Sequence, residues 1–216
     1  DKLASTSLTA GRFRTRTLTK MAIVATKAWA TADGGESTVR WGGARNDSNR
    51  DGGDVSPVVE WLRQFPAGAL KRTRASYTRT SQVPSYTALN ASRSTGLFRG
   101  NPDLGRSASH NYELGAEGRL AGWTAEAAVF FRRDVALVDW TFRQGIVART
   151  ANPVDVEVSG WELVARRSWA ACDAVIGYTA LATAADYRGA MVDASFYALN
   201  YARHRLTLAL TVRLGR

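Results

Sequence analysis

Trp123-Thr124-Ala125-Glu126-Ala127-Ala128-Val129-Phe130-Phe131-Arg132 is the stretch that decides the fold. Trp123, Ala125, Ala127, Val129 and Phe131 fall on one face of an extended chain, opposite Thr124, Glu126 and Arg132. Alternation of this kind belongs to strands, whose successive side chains point to opposite faces; a helix would repeat every 3.6 residues or so. The pattern recurs on both sides. Tyr112, Leu114, Ala116 and Leu120 oppose Glu113, Glu117 and Arg119, and Trp161, Leu163 and Ala165 oppose Gly160, Glu162 and Arg166. Near the end, Leu206, Leu208, Leu210, Val212 and Leu214 oppose Arg205, Thr207, Thr211 and Arg213.

Extending the alternation outward predicts strands near 16–30, 37–46, 54–65, 69–81, 110–121, 123–142, 154–169, 172–187 and 199–214. These segments are long. A soluble sheet uses strands of about 5–6 residues, whereas a strand crossing a bilayer at a tilt needs about 9–11. The connections alternate in length. Thr31–Glu36, Pro66–Gly68, Gly122 and Ala170–Ala171 are short, and Asp47–Gly53, Gln82–Ser109, Arg143–Pro153 and Arg188–Ala198 are expected to be long. Short turns at one end and long loops at the other are the plan of an outer-membrane barrel. Trp161 and Trp169, eight residues apart on one strand face, would lie roughly 20 Å apart in depth, near the spacing of two aromatic girdles.

Composition excludes several other classes. The 216 residues carry a formal net charge of +10, with Arg and Lys spread along the chain and in no dense run, so a nucleic-acid-binding face is not expected. No stretch approaches the ~20 apolar residues of a membrane helix. One cysteine, Cys172, rules out an internal disulfide and a cysteine-based metal site, and the two histidines, His110 and His204, do not suggest a metal cluster. Neither a metal nor a cofactor is expected. The chain begins at Asp1 without a signal-peptide pattern, and is expected to be a mature product or a fragment.

An ordered series of motifs adds to this. Tyr77-Thr78-Arg79 is followed by Val83-Pro84-Ser85-Tyr86-Thr87-Ala88-Leu89, then Gly100-Asn101-Pro102-Asp103-Leu104, then Asn111-Tyr112-Glu113-Leu114-Gly115. Downstream stand Phe130-Phe131-Arg132-Arg133-Asp134, Leu137-Val138-Asp139 and Ser159-Gly160-Trp161-Glu162. Over about residues 55–214 the series resembles the C-terminal barrel region of TonB-dependent receptors. Two places depart from that pattern: Gly105-Arg106-Ser107 stands where the family has acidic or lysine-rich residues, and the chain ends Leu214-Gly215-Arg216 without a terminal aromatic.

The resemblance implies an all-β antiparallel transmembrane barrel of about 22 strands, of which this chain, residues 1–216, would be about the last nine, with the plug domain outside it. It implies a Gram-negative outer-membrane receptor for TonB-energised uptake of a siderophore, cobalamin or similar scarce nutrient. Its partners would be the TonB complex through the plug, the outer-membrane assembly machinery, the lipid bilayer and a small-molecule ligand such as a metal chelate or cobalamin, with no nucleic acid. A passive porin or adhesin barrel is the alternative. No enzyme is expected: Ser107, Ser109 and His110 adjoin in sequence, but neighbours on an extended chain point apart. If ligand contacts lie in this chain, the Gln82–Ser109 loop is the expected place, with Tyr86, Arg93, Arg99 and Asn101 offering aromatic and cationic surface.

Overall fold

The computed structural model describes residues 15–196 and 201–214. In chain order the elements are β1 Leu18–Ala30, β2 Glu36–Ser48, β3 Gly52–Gln64, β4 Leu70–Gln82, α1 Tyr86–Asn90, β5 Phe98–Arg99, β6 Ser107–Leu120, β7 Trp123–Arg143, β8 Ile146–Ser168, β9 Cys172–Asp186, β10 Ala194–Ser195 and β11 His204–Val212. One path of hydrogen-bonded neighbours runs β1-β2-β3-β4-β6-β7-β8-β9-β11, nine strands long, with β5 and β10 attached off it. Every pairing along the path is antiparallel. Among the described residues β1 and β11 are its two free edges, so the sheet is open.

The ladder turns alternation in sequence into two unlike faces. Trp41 stands opposite Val59, Val59 opposite Tyr77, Tyr77 opposite Tyr112, and Tyr112 opposite Phe131, so one row of large apolar side chains crosses five strands. The other face carries charge. There Arg40 meets Glu60 at 3.0 Å, Arg72 meets Glu117 at 2.7 Å, and Arg74 meets Glu113 at 2.7 Å and also Glu126. The apolar face is bare: Ile23, Leu114, Leu208 and Leu210 are 60–80% exposed. A soluble sheet buries that face against a second layer; among the described residues no second layer covers it.

Packed hydrophobic residues gather instead at one end of the sheet. Leu89 of α1, Leu104 of the link before β6, and Ala151 and Val154 of the first half of β8 are fully buried. At the opposite end the turns are tight. Ala121 and Gly122 both take positive φ, 49° and 81°, the mirror-image hairpin turn whose twist matches the flanking strands.

The strand positions agree with the alternation to within a few residues, except at three connections. Asp47–Gly53 is no long link, because β2 runs to Ser48 and β3 resumes at Gly52, whose φ is +72°. Arg143–Pro153 is not a loop either. β8 begins at Ile146, and only Gln144 and Gly145 (φ +83°) separate it from β7. The hairpin instead projects beyond its neighbours, since β6 stops at Ser107 and β9 at Asp186. A bulge at the base of the projection, between Asp134 and Leu137, holds Ala136 at φ 54° while Asp155 accepts its N–H at 2.8 Å. Such bulges re-aim a strand. The last strand starts later than expected, at His204; residues 199 and 200 of the expected segment lie outside the described residues.

Candidate functional site

The end of the sheet that carries the long connections is built around the projecting β7–β8 hairpin. The segment between β4 and β6 folds upon itself before it reaches the hairpin. Ser85 caps α1, its hydroxyl accepting the Ala88 N–H at 3.2 Å, as short polar side chains do at helix starts. Asn101 N–H donates to the Ala88 carbonyl at 2.7 Å, and the chain passes so close that a Cβ at Gly100 would stand 2.7 Å from the Ala91 carbonyl oxygen. Only glycine fits that approach. Ala88, Leu89 and Leu104 then pack on Ala151, with Val138 and Trp140 against them.

Arginines fasten this segment to the β2–β3 turn. Arg50 donates to the carbonyls of Pro102 (3.0 Å) and Leu104, and Arg106 forks onto Asp51 at 2.8 and 3.0 Å. A guanidinium presents donors in a fixed plane, which suits such bidentate ties.

The two long connections then cross. β5, inserted between β4 and β6, pairs with β8, setting Phe98 beside Arg149 and Arg99 beside Thr150. β10, inserted between β9 and β11, pairs with β7, setting Ala194 beside Phe142 and Ser195 beside Thr141. Each connection therefore reaches the edge of the hairpin far from its own origin. Further ties hold the second one: Gln144 N–H donates to Asp193 at 2.7 Å, Asp193 N–H to the Phe142 carbonyl at 2.9 Å, and Phe196 N–H to the fully buried Asp139 at 3.2 Å. Beside them, burial pushes the Tyr187 phenol above its ordinary pKa.

Where the connections meet, aromatic and cationic side chains converge. Phe98 sits edge-on to Trp140 at 5.2 Å and 6.5 Å from Phe196, while the Arg149 guanidinium lies 4.5 Å from the Phe196 ring centre and 5.9 Å from that of Phe142. Leu97, Ile146 and Val147 are exposed at the same tip. The arrangement offers ring faces and guanidinium donors, suited to a planar or anionic small molecule.

The four residues singled out from the sequence occupy different places in this assembly. Arg93 and Asn101 come together on Asp103: Arg93 ion-pairs with its carboxylate at 2.5 Å, and the Asn101 side chain accepts its N–H at 3.0 Å. Tyr86 opens α1, with the Arg16 guanidinium 5.0 Å from its ring centre. Arg99 is half-buried in β5, its Nε buried without a hydrogen-bond partner. Periodicity alone puts Trp140 and Phe142 in the wall and Arg149 and Phe196 in connections, and marks none of them as a site residue. Gln144-Gly145 carried the missing signal, a two-residue turn between alternating flanks. The neighbouring Ser109 and His110 point to opposite faces, the latter with its Nδ1 3.0 Å from the Tyr77 hydroxyl.

A family model described as TonB dependent receptor-like, beta-barrel matches residues 12–215. Among solved structures, the siderophore receptor PirA from Pseudomonas aeruginosa is similar with a TM-score of 0.54 and 16% identity, over 81% of this chain and 42% of that one. The copper transporter OprC gives 0.53 and 12% identity, over 79% and 29%. The FrpB iron transporter from Neisseria meningitidis (F3-3 variant) gives 0.50 and 16% identity, over 78% and 26%. At these identities the likeness is one of fold, a stretch of β-barrel wall, and the chain spans between 26% and 42% of those three proteins. No curated protein matches it in sequence.

Proposed function

The chain belongs to the TonB-dependent receptor-like β-barrel family, and on that premise we propose that it forms the C-terminal part of the wall of an outer-membrane receptor that imports a scarce nutrient. In this reading residues 1–216 are barrel throughout, and the plug and its TonB-contacting segment belong to the receptor outside them. The ligand is a metal chelate, a siderophore complex or cobalamin; the similar structures are named for iron, siderophore and copper cargo. The assembly machinery inserts the barrel in the outer membrane of a Gram-negative cell. Uptake moves an intact ligand, so no covalent step is involved.

One observation carries the reading beyond family membership: the crossed connections form a folded platform at the end of the wall opposite the tight turns, with Phe98, Trp140, Phe196 and Arg149 gathered on it. Loops longer than about 12–15 residues with no role are uncommon, and this one has its own core. The sequence-chosen residues Tyr86, Arg93, Arg99 and Asn101 are proposed as ligand contacts on that platform, with Arg93 the most exposed ion-pairing partner among them.

The test uses the complete receptor. It fractionates with outer membranes and resists carbonate extraction; recovery in the soluble periplasm would end the proposal. Deleting Ser92–Arg99 removes β5 and the exposed lip before it, and is expected to abolish high-affinity uptake of labelled ferric siderophore or cobalamin. Barrel assembly, scored by heat-modifiable gel mobility, is expected to survive. Uptake that is normal after the deletion refutes a binding role and leaves the loop as solvated cover, whereas uptake that is equal in cells lacking TonB favours a passive porin.

A further inference from the structure

Arg167 lies on the apolar face of β8, two residues beyond Ala165 on the face that also bears Trp161 and Leu163. It stands at the tight-turn end, opposite Trp123 on one side and Ala174 on the other. Its guanidinium is 4.9 Å from the Trp169 ring centre and 5.9 Å from that of Trp123, and the two indoles meet edge to face at 5.9 Å. Gly122 closes the floor, since a Cβ there would touch the guanidinium at 3.5–3.7 Å. The group is thus held in place by two rings and a glycine, and its small neighbour Ala174 leaves the flank open.

Among the described residues no anion meets it. Arg63, at the same end, lies 5.3 Å from the Phe65 ring centre but ion-pairs with Asp33 at 2.6 Å. Arg213 pairs with Asp173 at 2.5 Å and also donates to the carbonyls of Trp169 and Ala170. Arg167 has no carboxylate within ion-pairing distance among the described residues. A half-buried guanidinium on an otherwise apolar face costs free energy unless a charge or strong acceptor meets it. Tryptophans at a wall's rim mark the depth at which bilayer headgroups lie. Phosphate oxygens at that depth match the fork of guanidinium donors.

The geometry points to Arg167, Trp123 and Trp169 as a binding site for the phosphate of an anionic glycerophospholipid in the leaflet at the tight-turn end. The inference rests on the apolar face being lipid-facing. Phosphatidylglycerol fits better than phosphatidylcholine, because its phosphate charge is not offset by an ammonium of its own. Trp123 and Trp169 hold the guanidinium and cover the upper acyl region.

The experiment titrates the complete, detergent-solubilised receptor with phosphatidylglycerol and follows retained lipid by native mass spectrometry. Arg167→Gln is expected to weaken the tightest phosphatidylglycerol adduct by roughly tenfold or more, the loss of one charged hydrogen-bond pair. Arg167→Lys keeps the charge without the fork and is expected to fall between. Arg143→Gln removes an equal charge at the other end of the wall and is expected to change nothing. Equal affinities for Arg167→Gln and Arg143→Gln would overturn the site. So would displacement of the lipid by millimolar inorganic phosphate, or an equal affinity for phosphatidylcholine. A receptor washed from membranes by carbonate fails the membrane reading itself, and this site with it.

Discussion

Leu89→Ala tests whether the platform is a folded unit with its own stability. Leu89 is 1% exposed and packs with Ala88, Leu104 and Ala151. Truncation removes three buried carbons at about 0.8 kcal/mol each, and an unfilled cavity adds to that, giving about 3 kcal/mol. The loss falls on the loop and not on the wall, because no strand of the nine-strand path contributes Leu89. Local opening of the loop should therefore rise by roughly a hundredfold. Hydrogen exchange of amides between 83 and 106 in the complete barrel reads this directly, and amides of β6 and β9 serve as the internal reference. Leu97→Ala is the companion variant: at 63% exposure it should leave exchange nearly unchanged. If the two variants exchange alike, the segment is not held by its core, and the Arg50 and Arg106 ties alone account for its position.

The remaining predictions concern the wall and its turns. Leu210 and Thr211 lie on opposite faces in the β9–β11 ladder, so Leu210→Arg should weaken barrel folding by about 2–4 kcal/mol and Thr211→Arg by much less; equal losses would show the register to be wrong. In the turn after β1, the Thr31 hydroxyl, the Arg63 guanidinium and the Gly35 N–H hold the Asp33 carboxyl down at about 2. A depressed folded value means that Asp33 stabilises the turn above the usual carboxylate range and loses that contribution as pH falls toward 2. Carbon-13 titration of the Asp33 carboxyl should find the low midpoint and Arg63→Gln should raise it; a midpoint near 4 in the unaltered protein would contradict the contacts.

Much of the wall was legible because a strand with unlike faces prints its period directly into sequence. Trp123 to Phe131 could be placed on one face without coordinates, and the ladder sets them there. The turn at Gly122 was equally plain. The loop end was harder, for a physical reason. Beyond the bulge at Asp134 the hairpin leaves its neighbours and is covered by β5, β10 and α1, so both of its faces can be buried and alternation loses its meaning. Asp139 is fully buried there while Val147 is 79% exposed, the reverse of what polarity suggests. The Asn101 side chain accepts the Asp103 N–H two residues on, a local turn contact that alternation does not print. Arg93 and Asp103 are ten residues apart and their pairing had no periodic signature.

The crossing of the two connections over the hairpin bears on how such a surface can be recombined. Phe98 packs on Trp140 and Phe196, and Asp139 accepts the Phe196 N–H, so each contact joins two of three parts, the hairpin and the two connections. A chimaera that takes one connection from a relative would strand partners on the other two parts: Trp140 would lose a ring neighbour, or the buried Asp139 carboxylate a donor. Grafting new specificity onto this wall therefore means transplanting residues 83–106, the hairpin tip and the chain from 187 to the start of β11 together, as one cassette.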